Sequence, residues 1–277
     1  MALALFCSLL SFPVLAGKML GAPEHAAIIA IPFVDRAGNH GINMGGGVVI
    51  GSHTVLTAAH VLFEDLPDAG GSPRKLLNLK KGVVGIAGNK QVAFINPDNI
   101  HFHPSVGVRR MGQRYWVSES ESAKYLTNTK GVYDVALIRL DKPVGPFKNA
   151  FPTVAKGHAA VLNRYYYTGV RPTKADGGKG IVSIPTVVTQ VERFGLKTKI
   201  AYSGVLGNTA VKPGDSGGAL FVADGGRLKL YGLASKGRDS LVANESVFTR
   251  LDPIRGWIQS TLREFERDGL LVANRTE

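Results

Sequence analysis

Gly214-Asp215-Ser216-Gly217-Gly218 is the segment with the strongest chemical signal in this sequence. Glycines around a serine allow the backbone to turn sharply, and they leave the hydroxyl and the neighbouring N–H groups accessible. A serine hydroxyl becomes a useful nucleophile only when a nearby base takes its proton. The segment therefore predicts a serine nucleophile whose base lies elsewhere in the chain.

The same segment also fits the G-x-S-x-G elbow of α/β-hydrolases, in which the acid and then the histidine follow the serine. The histidines of this chain all precede Ser216 and stand at positions 25, 40, 53, 60, 101, 103 and 158. No histidine can follow the serine as a general base, which excludes the elbow. The order histidine, aspartate, serine remains.

Two more segments supply candidates for the histidine and the aspartate. Leu56-Thr57-Ala58-Ala59-His60-Val61 follows a predicted strand, and Tyr133-Asp134-Val135-Ala136-Leu137-Ile138 opens another. Together with the serine segment they resemble the chymotrypsin/trypsin-like serine proteases. The resemblance covers most of 19–262, and its further matches are His103-Pro104-Ser105, Tyr231-Gly232-Leu233-Ala234-Ser235-Lys236-Gly237, Val247-Phe248-Thr249-Arg250 and Trp257-Ile258.

The resemblance implies a catalytic role for each member of the triad. Ser216 would be the nucleophile, His60 its general base and then acid, and Asp134 the residue that orients His60. The backbone N–H groups of Gly214 and Ser216 would form the oxyanion hole, which stabilises the charge that develops on the substrate carbonyl oxygen. The expected activity is therefore that of a serine endopeptidase.

The resemblance also implies a set of substrate-binding residues, which are Ala210, Ser235, Lys236, Gly237 and Ser246. Ser235 would also pair with Asp134, and the segment from Ser235 to Gly237 would bind the substrate backbone as an added strand. None of the pocket positions is acidic, so a large apolar or aromatic residue is expected before the cleaved bond. Glu245 adjoins Ser246, and it would change this preference only if it turned into the pocket.

Strands are expected to make up most of the secondary structure around these residues. Charged residues make up 19% of the chain and there are 34 glycines, which favours short strands joined by many turns. A proline-rich linker, Asp141–Pro152, separates two strand-rich halves. The strands are predicted in apolar runs at 26–33, 47–50, 55–57, 83–87, 91–95, 135–140, 159–162, 181–191, 199–201, 219–223, 228–234 and 246–251.

The fold class implied by the resemblance is all-β, with two six-stranded antiparallel β-barrels and a C-terminal α-helix. The first barrel is expected at about 19–145 and the second at about 150–251. Helical spacing of Ile254, Trp257, Ile258, Leu262 and Phe265 predicts the helix at about 253–270. The protease domain as a whole is expected to span 19–277.

Residues 1–16 form an uncharged, apolar run that ends Val14-Leu15-Ala16, the pattern of a signal peptide. We expect a secreted or periplasmic protein that has no membrane segment after cleavage. The run lacks Lys or Arg, so a membrane anchor or a start further upstream is the alternative. If signal cleavage falls after Ala16, Gly17-Lys18 would remain as a dipeptide propeptide, and its removal would free the amine of Met19 to pair with Asp215.

The single cysteine, Cys7, lies in the predicted signal peptide, so we expect neither disulfides nor a thiolate metal site. That favours a bacterial over an animal member. The basic stretch 78–90 has no acidic calcium loop, and neither a metal nor another cofactor is predicted. The expected partners are protein or peptide substrates, and the expected oligomeric state is a monomer.

The 277-residue chain has a net charge of +12 and 44% hydrophobic residues, a composition that excludes a disordered polyelectrolyte. The charge does not identify a nucleic acid as a specific partner. The stretch 107–131 interleaves arginines with Tyr115 and Trp116. It is either an exosite for acidic polymers or a plain surface loop. The alternative function is a catalytically inactive binding protein on a protease fold that uses this basic surface, and a broken triad would mark it.

Overall fold

The strands of this protein lie in two halves and are followed by one C-terminal α-helix. The structure is a computed structural model, and it describes residues 20–21, 23–34, 40–63, 74–75, 82–88, 91–111, 114–117, 133–172, 179–193, 195–199, 211–240 and 243–273. Strands dominate these residues, so the prediction of a mostly β chain with a C-terminal helix is confirmed.

Ten of the described strands precede the proline-rich linker. They are β1 (Leu20–Gly21), β2 (Ala26–Val34), β3 (His40–Gly51), β4 (Thr54–Thr57), β5 (Arg74–Lys75), β6 (Val83–Ile86), β7 (Val92–Phe102), β8 (Arg109–Met111), β9 (Arg114–Val117) and β10 (Ala136–Leu140). Six of them form a closed antiparallel barrel in the order β10-β4-β3-β2-β6-β7. Strands β5, β9 and β8 form a small separate sheet.

The first barrel closes around side chains that alternate along its strands. On β2, Ile29 and Ile31 are fully buried, while Ile28 and Ala30 are only partly buried. This alternation is expected because successive side chains of a strand point to opposite faces of the sheet. The first barrel is therefore a packed core, and it fixes the loops that leave its ends.

Seven strands of the described part of the chain follow the linker: β11 (Thr153–Val154), β12 (Arg164–Pro172), β13 (Lys179–Val191), β14 (Gly195–Lys199), β15 (Ala219–Asp224), β16 (Arg227–Ser240) and β17 (Ala243–Arg250). They form an eight-stranded sheet with β1 in the order β1-β13-β12-β15-β16-β17-β14, and β11 pairs with β16. Strand β14 also pairs with β13. Strand β1, which lies in the range predicted for the first barrel, pairs with β13 of this second sheet.

One predicted strand is wrong. The run Ala159–Leu162 contains no strand, and Val161 and Leu162 form an exposed turn instead. Leu162 adopts a left-handed backbone with φ 65°, which is incompatible with an extended chain. The apolar composition of the run therefore reflects one buried residue, Ala159, and not a buried strand.

The C-terminal helix α1 (Arg255–Ala273) begins two residues later than predicted because Asp252–Ile254 forms a 3₁₀ turn. Its apolar face packs into a core that both halves of the chain share. Ile258 and Phe265 are buried there beside Leu137 of the first barrel and Leu230 of the second sheet. The helix therefore holds the two halves together behind the segments that carry His60, Asp134 and Ser216.

Candidate active site

His60 lies on a single 3₁₀ turn, Ala59–Leu62, which directly follows β4. Ala59 and Leu62 on that turn are fully buried, so the turn is anchored in the first barrel. The histidine side chain is 22% exposed and reaches the surface. A rigid, short turn thus presents one partly exposed imidazole.

Asp134 precedes β10 and is completely buried. Its Oδ1 accepts the backbone N–H of His60 at 2.9 Å, and its Oδ2 lies 2.6 Å from Nδ1 of the same residue. The hydroxyl of Ser235 donates to Oδ2 at 2.7 Å. The structure therefore brings the predicted acid and the predicted base together over 74 positions of sequence.

Asp134 is held as a carboxylate. Burial would raise its pKa, but the charge of His60 and the hydrogen bonds from His60 and Ser235 lower it below its ordinary value. A carboxylate can only accept hydrogen bonds, so Nδ1 of His60 must carry the proton that points at Oδ2. The other ring nitrogen, Nε2, is then free of a proton in the neutral imidazole and can accept one.

Ser235 reaches Asp134 through an irregularity in β16. Ala234 pairs with Phe248 and Lys236 pairs with Val247, so Ser235 is an extra residue on its strand. Such a bulge redirects a side chain that regular alternation would aim elsewhere. The predicted contact between Ser235 and the aspartate is present, and a local break in strand register is what permits it.

Ser216 lies on a tight turn that precedes β15. Gly214 and Gly217 have φ values of 95° and 85°, a region that favours glycine. A Cβ on Gly217 would lie within 2.5 Å of both the Gly46 carbonyl oxygen and the Thr57 hydroxyl. The glycines of the serine segment are thus needed for turn geometry and for close approach to the first barrel.

Strand β3 of the first barrel contacts the serine turn directly. The N–H of Gly46 donates to the carbonyl of Ser216 at 2.6 Å, and the hydroxyl of Thr57 donates to the carbonyl of Gly46 at 2.7 Å. Thr57 lies three positions before His60, so these two hydrogen bonds connect the segment that carries His60 to the turn that carries Ser216. Gly46 is not among the residues predicted from the sequence. The run Gly45-Gly46-Gly47 inside a strand is the pattern that indicates such a contact, since glycine within a strand marks a place where another backbone approaches closely.

Replacing Gly46 by alanine is expected to damage the site. A Cβ there would lie 2.7 Å from the backbone nitrogen of Gly218 and 2.9 Å from its Cα, and neither atom can move without moving the serine turn. We expect a loss of stability of about 1–3 kcal/mol and a clear loss of turnover. Gly85→Ala is the matched control, because a Cβ at Gly85 would meet no atom within 4 Å. Thermal melts and rates for both variants check this, and equal behaviour would contradict the packing argument.

Two backbone N–H groups of the serine turn have no acceptor among the described residues. Those of Asp215, Gly217 and Gly218 donate to the carbonyls of Lys212, Ala234 and Asp215 respectively. Within the part of the chain that the structure describes, those of Gly214 and Ser216 donate to no protein acceptor. These two groups are the pair predicted from the sequence to form an oxyanion hole.

Asp215, predicted to pair with the amine of Met19, is buried beneath this turn and is 1% exposed. Its carboxylate accepts the N–H of Val170 at 2.8 Å and that of Lys212 at 2.9 Å. These bonds tie the serine turn to β12. Met19 lies outside the described residues, so its pairing with Asp215 stays a prediction.

The predicted substrate-binding residues are only partly described. Ala210 lies outside the described residues, and for Lys236 and Gly237 the structure describes the strand position alone. Gly237 pairs with Ser246 of β17. Ser246 is 2% exposed, and its hydroxyl accepts the N–H of Val211 at 2.9 Å.

A comparison of the sequence with models of protein families finds one described as Trypsin, which matches residues 25–258. The chain belongs to the trypsin family. Trypsin-family domains are serine endopeptidases in general, and the matched range includes the segments of His60, Asp134 and Ser216. No curated protein matches the chain in a sequence comparison. In this trypsin-family chain, none of the helices that the structure describes is long and apolar enough to cross a membrane.

Proposed function

We propose that this protein is a secreted or periplasmic serine endopeptidase, which hydrolyses peptide bonds through His60, Asp134 and Ser216 with an acyl-enzyme intermediate. The observation that carries the proposal is the buried Asp134 carboxylate, whose Oδ2 accepts Nδ1–H of His60 at 2.6 Å. That bond leaves Nε2 of a partly exposed imidazole to act as the base. The glycine-flanked serine of a trypsin-family chain is the group it would deprotonate.

In the proposed reaction, the oxygen of Ser216 attacks the carbonyl carbon of the substrate while its proton passes to Nε2 of His60. The imidazolium that forms is stabilised by Asp134, which stays ionised. When the C–N bond breaks, His60 gives this proton to the leaving amine and an ester to Ser216 remains. Water then attacks the ester with its proton passing to His60, and that proton returns to Ser216 as the acid leaves.

The oxyanion of each tetrahedral intermediate would bind the N–H groups of Gly214 and Ser216. Both belong to a turn held from below by Asp215 and from the side by Gly46, so they need no reorganisation during the reaction. Preorganised donors of this kind contribute about 3–4 kcal/mol each to lowering the barrier. The alternative, a non-catalytic binding protein, predicts a broken triad or a blocked oxyanion turn. The hydrogen bond between Asp134 and His60, and the N–H groups of Gly214 and Ser216 that meet no acceptor among the described residues, favour the enzyme instead.

The substrate backbone would add to the free edge of β16. Pairing between β15 and β16 ends at Leu233, and the backbone of Ala234 bonds to the serine turn. From Ser235 to Gly237 the strand pairs only with β17 among the described strands. An extended peptide can therefore bond to the opposite edge next to Ser216. The second sheet, in which β13 pairs with both β12 and β14, would form the second barrel behind this edge.

Cleavage is expected after Phe, Tyr, Leu or Met rather than after Lys or Arg. Ser246 is predicted to line the pocket for the residue before the cleaved bond. Its hydroxyl is buried and accepts a backbone N–H, so it offers no negative charge to a cationic side chain. Ala210 and Gly237 add no acid, and burying a cation without its counter-charge is costly. A peptide library, with the cleaved bonds read by mass spectrometry, measures the preference.

The same library tests the activity itself when it is incubated in parallel with the Ser216→Ala variant. Cuts that the wild type makes and the variant does not make support the proposed endopeptidase. Dominant cleavage after Lys or Arg would overturn the specificity alone, with Glu245 as the first acid to replace. No cleavage of any peptide by the wild type would count against the function.

A further inference from the structure

A short turn that is distant from Asp134 in sequence lies beside the Asp134 segment in the fold. Residues Pro104–Val106 form one 3₁₀ turn, capped by the side chain of His103, and Val106 is fully buried. The turn lies after β7, which pairs with β10 of the first barrel. This pairing brings His103 and Ser105 beside the residues that flank the aspartate.

Two hydrogen bonds from this turn hold the backbone on both sides of Asp134. The N–H of Tyr133 donates to the hydroxyl oxygen of Ser105 at 2.9 Å. On the other side, the N–H of His103 donates to the carbonyl of Val135 at 3.2 Å. The aspartate itself makes no bond to the turn, so the turn acts on it only through its neighbours.

The hydroxyl of Ser105 is in turn oriented by the His103 ring. The N–H of Ser105 donates to Nδ1 of His103 at 3.2 Å, which makes Nδ1 an acceptor. The Ser105 oxygen is 2.8 Å from the same nitrogen, so the hydroxyl proton must point at Nδ1. The serine oxygen then offers its lone pair to Tyr133. The direction of this chain of bonds requires a neutral His103 with its proton on Nε2.

The surroundings of the ring favour that state. The His103 ring packs edge-on against Tyr133, with centroids 5.1 Å apart, and against Trp257 of α1, with centroids 5.0 Å apart. Burial between these rings lowers the pKa of His103. The ring is thus fixed from two sides, and the C-terminal helix supports it.

We propose that His103 and Ser105 are positioning residues for Asp134, and that the bond from Tyr133 to Ser105 sets the distance between Asp134 and His60. The proposal rests on the function proposed above. Bonds to a catalytic carboxylate depend on its placement to a fraction of an ångström, and a misplacement of about 1 Å costs about a hundredfold in rate. The Ser105 hydroxyl hydrogen-bonds to His103 and Tyr133 and to neither the substrate edge of β16 nor the serine turn, so its effect should fall on the chemical step.

The test removes the hydroxyl in Ser105→Ala. We expect kcat for an amide substrate to fall about ten- to a hundredfold with KM unchanged. The acid limb of the pH profile of kcat/KM should move to lower pH, because a displaced Asp134 carboxylate stabilises the His60 imidazolium less. Ser105→Thr restores a hydroxyl and should recover most of the rate. Ser260→Ala is the matched control, since its hydroxyl also bonds to backbone, at the carbonyl of Trp257, but on the exposed face of α1.

A second readout does not need turnover. The Nδ1–H proton of His60 gives a separate low-field NMR signal, whose position reports its hydrogen bond to Asp134. This signal should move in Ser105→Ala and stay in place in Ser105→Thr and Ser260→Ala. His103→Asn, which keeps an acceptor for the serine hydroxyl, should perturb the signal less than His103→Leu.

The outcomes separate the two proposals. A wild type without peptidase activity, but with a signal that moves in Ser105→Ala, would refute the proposed function and support the positioning role. An active wild type whose signal and acid limb are unchanged in Ser105→Ala would overturn the positioning role. An equal loss of kcat in Ser260→Ala would also overturn it, since the effect would then be one of general stability.

Discussion

Replacing Ser216 by alanine is expected to reduce peptide turnover on the order of a million-fold while the fold stays intact. The alanine has no oxygen to attack the carbonyl, and the residual rate comes from water and the oxyanion turn. His60→Ala should cost a similar amount, because the serine then keeps its proton. The two losses should not add in the double variant, since the residues act as a unit.

Steady-state hydrolysis of a chromogenic peptide amide measures these losses. Ser52→Ala, at an exposed turn in the first barrel, is the control and should keep the wild-type rate. Circular dichroism and thermal melts of all variants verify that the fold is unchanged. Activity within tenfold of the wild type, in either Ser216→Ala or His60→Ala, would refute the assignment of the triad.

Asp134→Asn is the change with the next largest expected effect, a fall in kcat of about ten-thousandfold. An amide cannot accept all three of the bonds that the carboxylate accepts from His60 and Ser235. Its NH₂ group would instead favour a proton on Nε2 of His60, which is the wrong nitrogen for a base. The imidazolium formed during reaction would also lose its counter-charge.

The control for this change is Asp224→Asn, at an exposed carboxylate that pairs with Lys229 on the surface. Exposed pairs contribute little to stability, so this variant should match the wild type in rate and melting temperature. Single-turnover kinetics locate the loss in Asp134→Asn at acylation. A variant that acylates at the wild-type rate would show that Asp134 does not orient the base.

The triad segments could be predicted because their chemistry depends on local composition. A glycine-flanked serine, a histidine after a strand and an aspartate opening a strand each leave a short pattern in the sequence. The strands β2, β4 and β10 were equally predictable, because their apolar runs coincide with the buried walls of the first barrel. These features are local, and the family resemblance supplied their arrangement.

The features that escaped prediction depend on contacts between distant segments. Strand β12 carries Tyr165, Tyr166 and Tyr167 beside Arg164 and Gly169, so its composition gives no continuous apolar run although it is a central strand of the second sheet. The bulge at Ser235 arises from a register shift of β16 against β17, and the sequence of neither strand alone predicts that shift.

The contacts of Gly46 and Ser105 are likewise set by tertiary structure. Gly46 is a strand residue whose importance follows from the approach of the serine turn, and Ser105 bonds to Tyr133 across 28 positions of sequence. In each case the residue type is compatible with many environments. Only the folded chain shows which backbone group it meets.

Reaction with a serine-directed fluorophosphonate tests most directly whether Ser216 is an activated nucleophile. The reagent forms a covalent bond only with a serine that a neighbouring base activates, and digestion with mass spectrometry locates the adduct. We expect one equivalent of label on Ser216, with none in His60→Ala and none in Ser216→Ala. A folded wild type that takes up no label, or takes it up at another serine, would contradict the central claim.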